Sequence, residues 1–545
     1  MGGSQFKFRR NDQIGTAGAE EDEFLSTCFV DTGDLSLLQN VSDHRQIILG
    51  RTGTGKTALL ERLREVKGEY VVTVSPENLA LTYVSNSTIL KFFSDLGVNL
   101  DPFFKLLWRH IFTVEVLSSC FKHLGEAQDK SLLDRVASMF SGASRNDKEM
   151  KEAIKYLENW GSTFWQETEF RVKEITKKIE SELGATLKAK LGTDEIGIGA
   201  GADKAEKLTE GERTELCSRG QEIVSKAQVQ DLHKVTKLLD AVLADRQKQY
   251  FVVIDGLDEN WIEERLRYKL IMALILTAKD FIQVKNAKII IALRKDLIER
   301  VFRLNRDSGF QEEKYQSLYL PLVWKKTALI ELLDRRIDAL VKRRYTGQEV
   351  THRDFLPKQF NGVPITDFIF NIAQRPRDVI SFFNICISTA QNLSKIGSRQ
   401  LKDAEAEYSK FRLRALGDEW AADYPSLLDF SKVLQRRPSS FKISAIKDKD
   451  IEEFCLDVSV QGLGSRDVLQ QQAMQVAEGL ISGEEFKTFL MKVFYKIGLV
   501  GLKVQPYQTA TWESESAIGI SSLDVSGDSS VVIHPTYYRA LGIKP

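Results

Sequence analysis

Cysteine is scarce in this chain, and histidine nearly as scarce. Five cysteines (Cys28, Cys120, Cys217, Cys386 and Cys455) are scattered over 545 residues. They are odd in number and no two stand as C-x-x-C, so neither a disulfide framework nor a thiolate zinc site is indicated. The six histidines show no ligand spacing, which leaves His534 a structural residue. Such usage points to a reducing, cytoplasmic compartment. Net charge is missing as well, because 76 Lys+Arg balance 76 Asp+Glu. That excludes the strongly basic footprint that announces a nucleic-acid binder, and local basic faces must be judged one by one. No apolar run reaches the ~18 residues of a spanning helix, so no membrane contact is expected. Met1-Gly2-Gly3-Ser4-Gln5-Phe6 has no apolar h-region and lacks the Ser or Thr at position 6 that myristoylation favours. With 43% hydrophobic and 28% charged residues the composition is that of an ordinary globular chain. Its length suggests about three or four domains.

Against that background one motif stands out. Gly50-Arg51-Thr52-Gly53-Thr54-Gly55-Lys56-Thr57 spells G-x-x-x-x-G-K-T. An apolar run, Gln46-Ile47-Ile48-Leu49, precedes it, and an amphipathic stretch from Ala58 to Leu63 follows. Strand, glycine loop and helix are the parts of a phosphate-binding P-loop. The glycines let backbone N–H groups curl around phosphate without a Cβ clash, and the helix start adds its positive dipole end. In that arrangement the Lys56 ammonium serves the β- and γ-phosphates and the Thr57 hydroxyl ligates Mg²⁺.

A second site lies far downstream. Tyr250-Phe251-Val252-Val253-Ile254 reads as a buried parallel strand ending in Asp255-Gly256-Leu257-Asp258-Glu259. A carboxylate at such a strand tip is where a P-loop fold places its Mg²⁺-side acid, here Asp255. Asp258 or Glu259 then orients or deprotonates the attacking water, with Glu259 favoured by analogy with other P-loop ATPases and Asp258 close behind. Ala287–Leu293 is a further buried strand with Arg294 at its tip, either a sensor that hydrogen-bonds the γ-phosphate or the attacking water, or a surface arginine after a strand. Tyr70–Ser75 and Ser317–Leu320 complete five strands, and Pro76 ends the second.

Residues 1–20 read as a polar, mobile lead. Ala19–Glu23 reads as the acidic first turn of a short helix, and Cys28–Asp34 as a loop that borders an adenine. Between the second and third strands the pattern is helical. Apolar groups recur at i, i+3 and i+4 in Thr88–Phe93 and Phe103–Trp108, and helices continue through Leu132–Phe140, Met150–Leu157 and Phe164–Leu191. The last of these carries a charged face with Glu169, Lys173 and Lys177. Gly197–Gly201 is a break and no dinucleotide fingerprint. Ser218–Gly220 is a turn before a helix Gln221–Leu243, and Trp261 opens a helix to about Ala278. From Trp324, Leu329, Leu332, Leu333, Ile337 and Leu340 form a core stripe. Arg335-Arg336 and Lys342-Arg343-Arg344 form a basic face, solvated or in contact with nucleic acid. Pro376 suits the first turn of a helix, and its neighbours Arg375 and Arg377 either reach a triphosphate from a lid or make structural salt bridges. Helices at Leu401–Leu416 and Glu484–Ile497 precede two strands, Leu499–Val504 and Ser529–His534, around a Ser/Gly-rich stretch, which suggests a winged helix.

Gly50–Thr57, Ile254–Glu259, Arg294 and Arg375-Pro376-Arg377-Asp378 together resemble AAA+-related signalling ATPases. The D-G-L-D-E string is similar to the Walker B segment of NACHT-type members of the STAND class, with the KAP ATPases close by. In finer detail Leu49-Gly50-Arg51, Leu257-Asp258-Glu259-Asn260-Trp261, Arg375-Pro376-Arg377-Asp378 and Ile533-His534-Pro535 resemble a sparsely described family of bacterial P-loop ATPases. The resemblance implies an α/β P-loop NTPase with a parallel sheet in the order 5-1-4-3-2. It implies an N-terminal segment (1–40), a core (41–322) with a helical insert at about 81–245, a helical lid (323–395) and a C-terminal winged-helix-like region (396–545). The implied nucleotide contacts are Gly50, Arg51, Thr52, Gly53, Thr54, Gly55, Lys56, Thr57 and Ala58, with Arg375 and Arg377 from the lid. It further implies ATP and Mg²⁺ as cofactors, self-association, and a home in bacterial mobile or anti-phage loci. No sensing repeat array and no nuclease is evident, so any effector acts in trans. The expected function is an ATP-driven molecular switch. The rivals are a DNA-stimulated loader or remodeller acting through the C-terminal region, and a non-catalytic nucleotide-binding scaffold.

Overall fold

Three apolar, β-branched runs of this sequence form the middle of one parallel sheet. The computed structural model describes residues 6–77, 99–122, 147–161, 226–243, 248–259, 261–304, 312–345, 349–459, 467–505, 509–513 and 525–544. The expected helices at 88–93, 132–140 and 164–191, the glycine break at 197–201 and the turn at 218–220 lie outside these residues. So does the start of the helix expected from Gln221. The chain divides into two compact units, one of Asp31–Val323 and one of Met1–Val30 with Trp324–Pro545.

The N-terminal segment therefore belongs with the C-terminal half, and its described part is no mobile lead. Phe8 and Ile14 are fully buried. Phe8 N–H donates to Leu393 O at 3.0 Å, and its own carbonyl accepts from Asn392 N–H at 2.8 Å. The acidic run 19–23 forms turns ahead of a single helical turn, α1 (Leu25–Cys28), and does not open that helix.

In the unit Asp31–Val323, α2 (Asp34–Gln39) leads to β1 (Ile47–Gly50), the glycine loop, α3 (Lys56–Lys67) and β2 (Val71–Val74). The described helices of the insert are α4 (Asp101–Lys122), α5 (Asp147–Trp160) and α6 (Lys226–Val242). Then come β3 (Tyr250–Ile254), α7 (Glu264–Phe281), β4 (Ala287–Arg294), α8 (Lys295–Leu304) and β5 (Tyr319–Pro321). Every pairing in the sheet is parallel. The strand order is β2-β3-β4-β1-β5, which read from the other edge is the expected 5-1-4-3-2. All of β3 is buried, as is β4 up to Arg294. That is why these strands read as unbroken apolar runs: helices cover both faces of such a sheet. Helix α4 lies along α7, fixed by the Trp108 indole N–H donating to Leu270 O at 3.0 Å. Helix α7 begins three residues later than expected, because Trp261 is buried in the preceding turn with its N–H on Leu257 O at 3.3 Å.

In the other unit α9 (Lys326–Tyr345) buries the predicted stripe Leu329, Leu332, Leu333, Ile337 and Leu340. After it come α10 (His352–Phe355), a small ladder of β6 (Gln359–Phe360) and β7 (Val363–Pro364), α11 (Ile365–Ile372), α12 (Pro376–Thr389) and α13 (Ser398–Glu419). Arg336 does not belong to a solvated or nucleic-acid face, whereas the Arg335 side chain is 45% exposed. Arg336 is buried, donates to Ile14 O at 2.8 Å and meets Asp22 at 2.5 Å, while Arg335 donates to Phe29 O at 2.5 Å. Both hold the N-terminal segment. A third core lies beyond α13. Here α14 (Leu427–Phe430), β8 (Ser440–Lys442), α15 (Asp448–Ser459), α16 (Val468–Ala477), α17 (Gly483–Lys496), β9 (Val500–Lys503) and β10 (Ser530–Ile533) surround an antiparallel sheet ordered β8-β10-β9. The four described cysteines are buried and none forms a disulfide. Among the described residues no helix is long and apolar enough to cross a membrane.

Candidate functional site

The glycine loop joins β1 to α3, and its backbone explains its composition. Gly55, immediately before α3, has φ of 94°, a left-handed conformation that a side chain disfavours. A Cβ on Gly50 would run into the Thr54 hydroxyl, which is itself tied to Arg51 O at 2.9 Å. Lys56 is the first residue of α3, followed by Thr57 and Ala58, so the N-terminal N–H groups of this helix open onto the loop. Arg51, Thr52 and Gly53 form the loop's turn, with φ of 82° at Gly53.

Lys56 folds back into the loop. Its ammonium donates to Gly50 O at 3.2 Å and to Arg51 O at 3.4 Å. Burial lowers the Lys56 pKa from the usual lysine value, opposed by the nearby carboxylates of Asp258 and Asp255. Thr57 donates through its hydroxyl to Asp255 Oδ2 at 2.9 Å. Asp255 Oδ1 in turn accepts from Gly256 N–H at 2.9 Å. The tip of β3 is thereby aimed at the start of α3.

The residues after Asp255 make a tight turn. Glu259 N–H donates to Gly256 O at 3.1 Å, and the Glu259 carbonyl accepts from Arg267 Nη1 of α7 at 2.8 Å. Asp258 is 41% exposed and lies 3.5 Å from Arg294 Nη1. Arg294 ends β4 directly beside Gly50 in register. Asp296, the second residue of α8, accepts from Arg294 Nε at 3.0 Å and from Nη2 at 2.9 Å. The structure thus gathers Lys56, Thr57, Asp255, Asp258 and Arg294 at the strand tips of one sheet, the place where open α/β sheets bind ligands.

Arg375 and Arg377 belong to the other unit and have partners there. Arg375, the N-cap of α12, reaches Asp378 at 2.7 Å, and Arg412 approaches the same carboxylate at 3.4 Å. Arg377 donates to Ala17 O at 3.1 Å. The Arg375–Asp378 contact is the structural salt bridge weighed against the lid reading, and Arg377 is held by a neutral carbonyl. Sequence reasoning missed Asp296 and Arg267. Asp296 stands two residues past a strand-tip arginine, a signal that was available; Arg267 looked like any polar helix position.

Residues 327–417, spanning α9 to most of α13, match the FunZ-associated C-terminal helical domain. The chain is also similar to a putative transposon gamma-delta 80.3 kDa protein of Escherichia coli (strain K12). The two are 20% identical over 559 aligned positions, which cover 98% of this chain and 67% of that protein. Neither name speaks of a nucleotide.

Proposed function

We propose that this protein is a Mg²⁺-dependent ATP hydrolase of the P-loop type that works as a nucleotide-controlled switch. One observation carries the reading: the 2.9 Å hydrogen bond between Thr57 and Asp255, 198 residues apart in the chain. A hydroxyl and a carboxylate brought together at the start of a glycine-loop helix are an oxygen donor pair suited to a hard cation. The fit extends to phosphate. Lys56 rests on two neutral carbonyls, which more negative phosphate oxygens can replace. Gly50 to Ala58 supply the loop and helix N–H groups. Bound Mg²⁺ would polarise the phosphoryl oxygens. Asp255 and Thr57 would hold that ion, Glu259 would prepare the water with Asp258 beside it, and Arg294 would serve the γ-phosphate. The reading does not draw on Arg375 or Arg377.

The test is steady-state hydrolysis by wild type and Glu259→Gln. Loss of turnover by about 10²-fold or more, with Mg²⁺–ATP still bound, is the expected result. Equal turnover in the variant, or no nucleotide bound by wild type, would reject it.

The β8-β10-β9 sheet favours a second reading. A helix-flanked antiparallel sheet in this order is the layout of a winged helix, and salt-sensitive DNA binding with DNA-stimulated turnover would mark a loader or remodeller. The name of the E. coli relative places that protein in a transposon. A mobile-element or anti-phage setting, with an effector in trans, is the biological role we propose on that footing. Self-association on nucleotide binding is part of it, and light scattering that found only monomers with a nonhydrolysable analogue would remove that part.

A further inference from the structure

We propose that Asp296 is a positioning residue for Arg294, and that the pair sets the site's preference for a nucleoside triphosphate over a diphosphate. The inference rests on the ATPase reading above and adds to it a residue and a specificity. Arginine at a strand tip carries a long side chain with many rotamers, and its planar fork becomes selective only when held. Here it is held edge-on. Asp296 grips Nε at 3.0 Å and Nη2 at 2.9 Å, which fixes both the plane and the direction of the guanidinium. That direction carries Nη1 to 3.5 Å from Asp258.

The grip is firm because Asp296 is itself fixed. It stands in the first turn of α8, whose Leu297, Ile298, Val301 and Phe302 are buried. The side chains of Arg294 and Asp296 are only 19% and 14% exposed, so water does little to weaken the pair. Placement supplies the function. Arg294 is the register partner of Gly50, whose carbonyl the Lys56 ammonium contacts. The two cations therefore flank the same end of the loop, Lys56 from within and Arg294 from the neighbouring strand. A phosphate at the far end of a chain that begins on the loop would meet Arg294, and a diphosphate would fall short of it. The competing structural account is that Asp296 merely complements the dipole of α8. It predicts a loss of stability and no change in nucleotide preference.

The experiment measures dissociation constants for Mg²⁺–ADP and for a nonhydrolysable Mg²⁺–ATP analogue, with wild type, Asp296→Asn and Asp296→Glu, and records the Tm of each protein. Wild type is expected to favour the triphosphate. Asp296→Asn should cut that preference about tenfold while leaving ADP affinity in place, the size of one positioned charge-assisted contact. Asp296→Glu should recover part of it. An unchanged preference in Asp296→Asn, with both nucleotides bound, overturns this inference alone. Equal weakening of both nucleotides together with a lowered Tm assigns Asp296 a structural role and overturns it too. Wild type binding neither nucleotide sinks the ATPase reading itself.

Discussion

His110 is a histidine that the fold keeps neutral. It is buried in α4, its Nδ1 lies 2.7 Å from the Tyr156 hydroxyl of α5, and burial pushes its pKa down to about 3. The unfolded chain takes up that proton near pH 6.5, where the folded protein refuses it. Stability from this residue is therefore complete above about pH 6.5 and falls as the pH drops toward 3, by at most about 1.4 kcal/mol per pH unit. His110→Gln, which keeps a hydrogen-bonding side chain, should flatten the pH dependence of urea unfolding across that window. An unaltered slope would show that His110 does not govern it. The local backbone of the glycine loop was legible in the sequence, because Gly50 to Thr57 are contiguous and their spacing sets the turn into α3. The partners of those residues were less so. Asp258 and Glu259 read as two acids on one tip, with Glu259 only narrowly ahead for the water. In the structure Asp258 faces Arg294, and the Glu259 backbone is braced by Arg267.

At the scale of elements, the N-terminal segment is held in part by a buried ion pair. Asp22 and Arg336 are each 3% exposed and 2.5 Å apart. Removing one partner of such a pair strands the other charge, at a cost of about 3–5 kcal/mol. Asp22→Ala should lower the stability of the unit that holds residues 6–30 by that order, and chemical denaturation would measure it. A loss below about 1 kcal/mol would mean that water reaches Arg336 when its partner is gone. The elements that sequence made plain are those with a complete local signature. Strand β3 and the Ile289–Leu293 part of β4 are continuous apolar runs, and α9 shows its stripe at helical spacing. What escaped was any element whose burial comes from elsewhere. Arg336 reads as part of a basic face until a segment more than 300 residues away in sequence covers it. Lys288 lies within an apparently apolar strand. Its ammonium is in fact satisfied by Leu37 O at 2.7 Å and Asn40 O at 2.9 Å, and burial takes its pKa down to about 8.

For the whole molecule, the two units carry separate cores. One cluster gathers residues between Ile47 and Leu318, while two others lie in the unit of Met1–Val30 and Trp324–Pro545. Separate cores predict separate cooperative transitions. In calorimetry Leu274→Ala, fully buried in α7, should lower one transition, and Leu333→Ala, fully buried in α9, should lower the other. Each substitution is expected to cost about 2–5 kcal/mol. A single transition shifted alike by both would show that the units unfold together.

The sequence by itself determined the loop, its flanking strand and helix, the acidic strand tip and the stripe of α9. Each is written in neighbours close enough along the chain to share one turn or one face. The sequence placed Thr57 and Asp255 at one expected ion; only the tertiary structure decided that they touch directly, that Arg294 lies between Asp258 and Asp296, and that residues before Val30 pack with those after Trp324. Those pairings depend on the order of strands in a sheet and on which distant segment covers which side chain. Such contacts form through space, and residue spacing along the chain does not encode them.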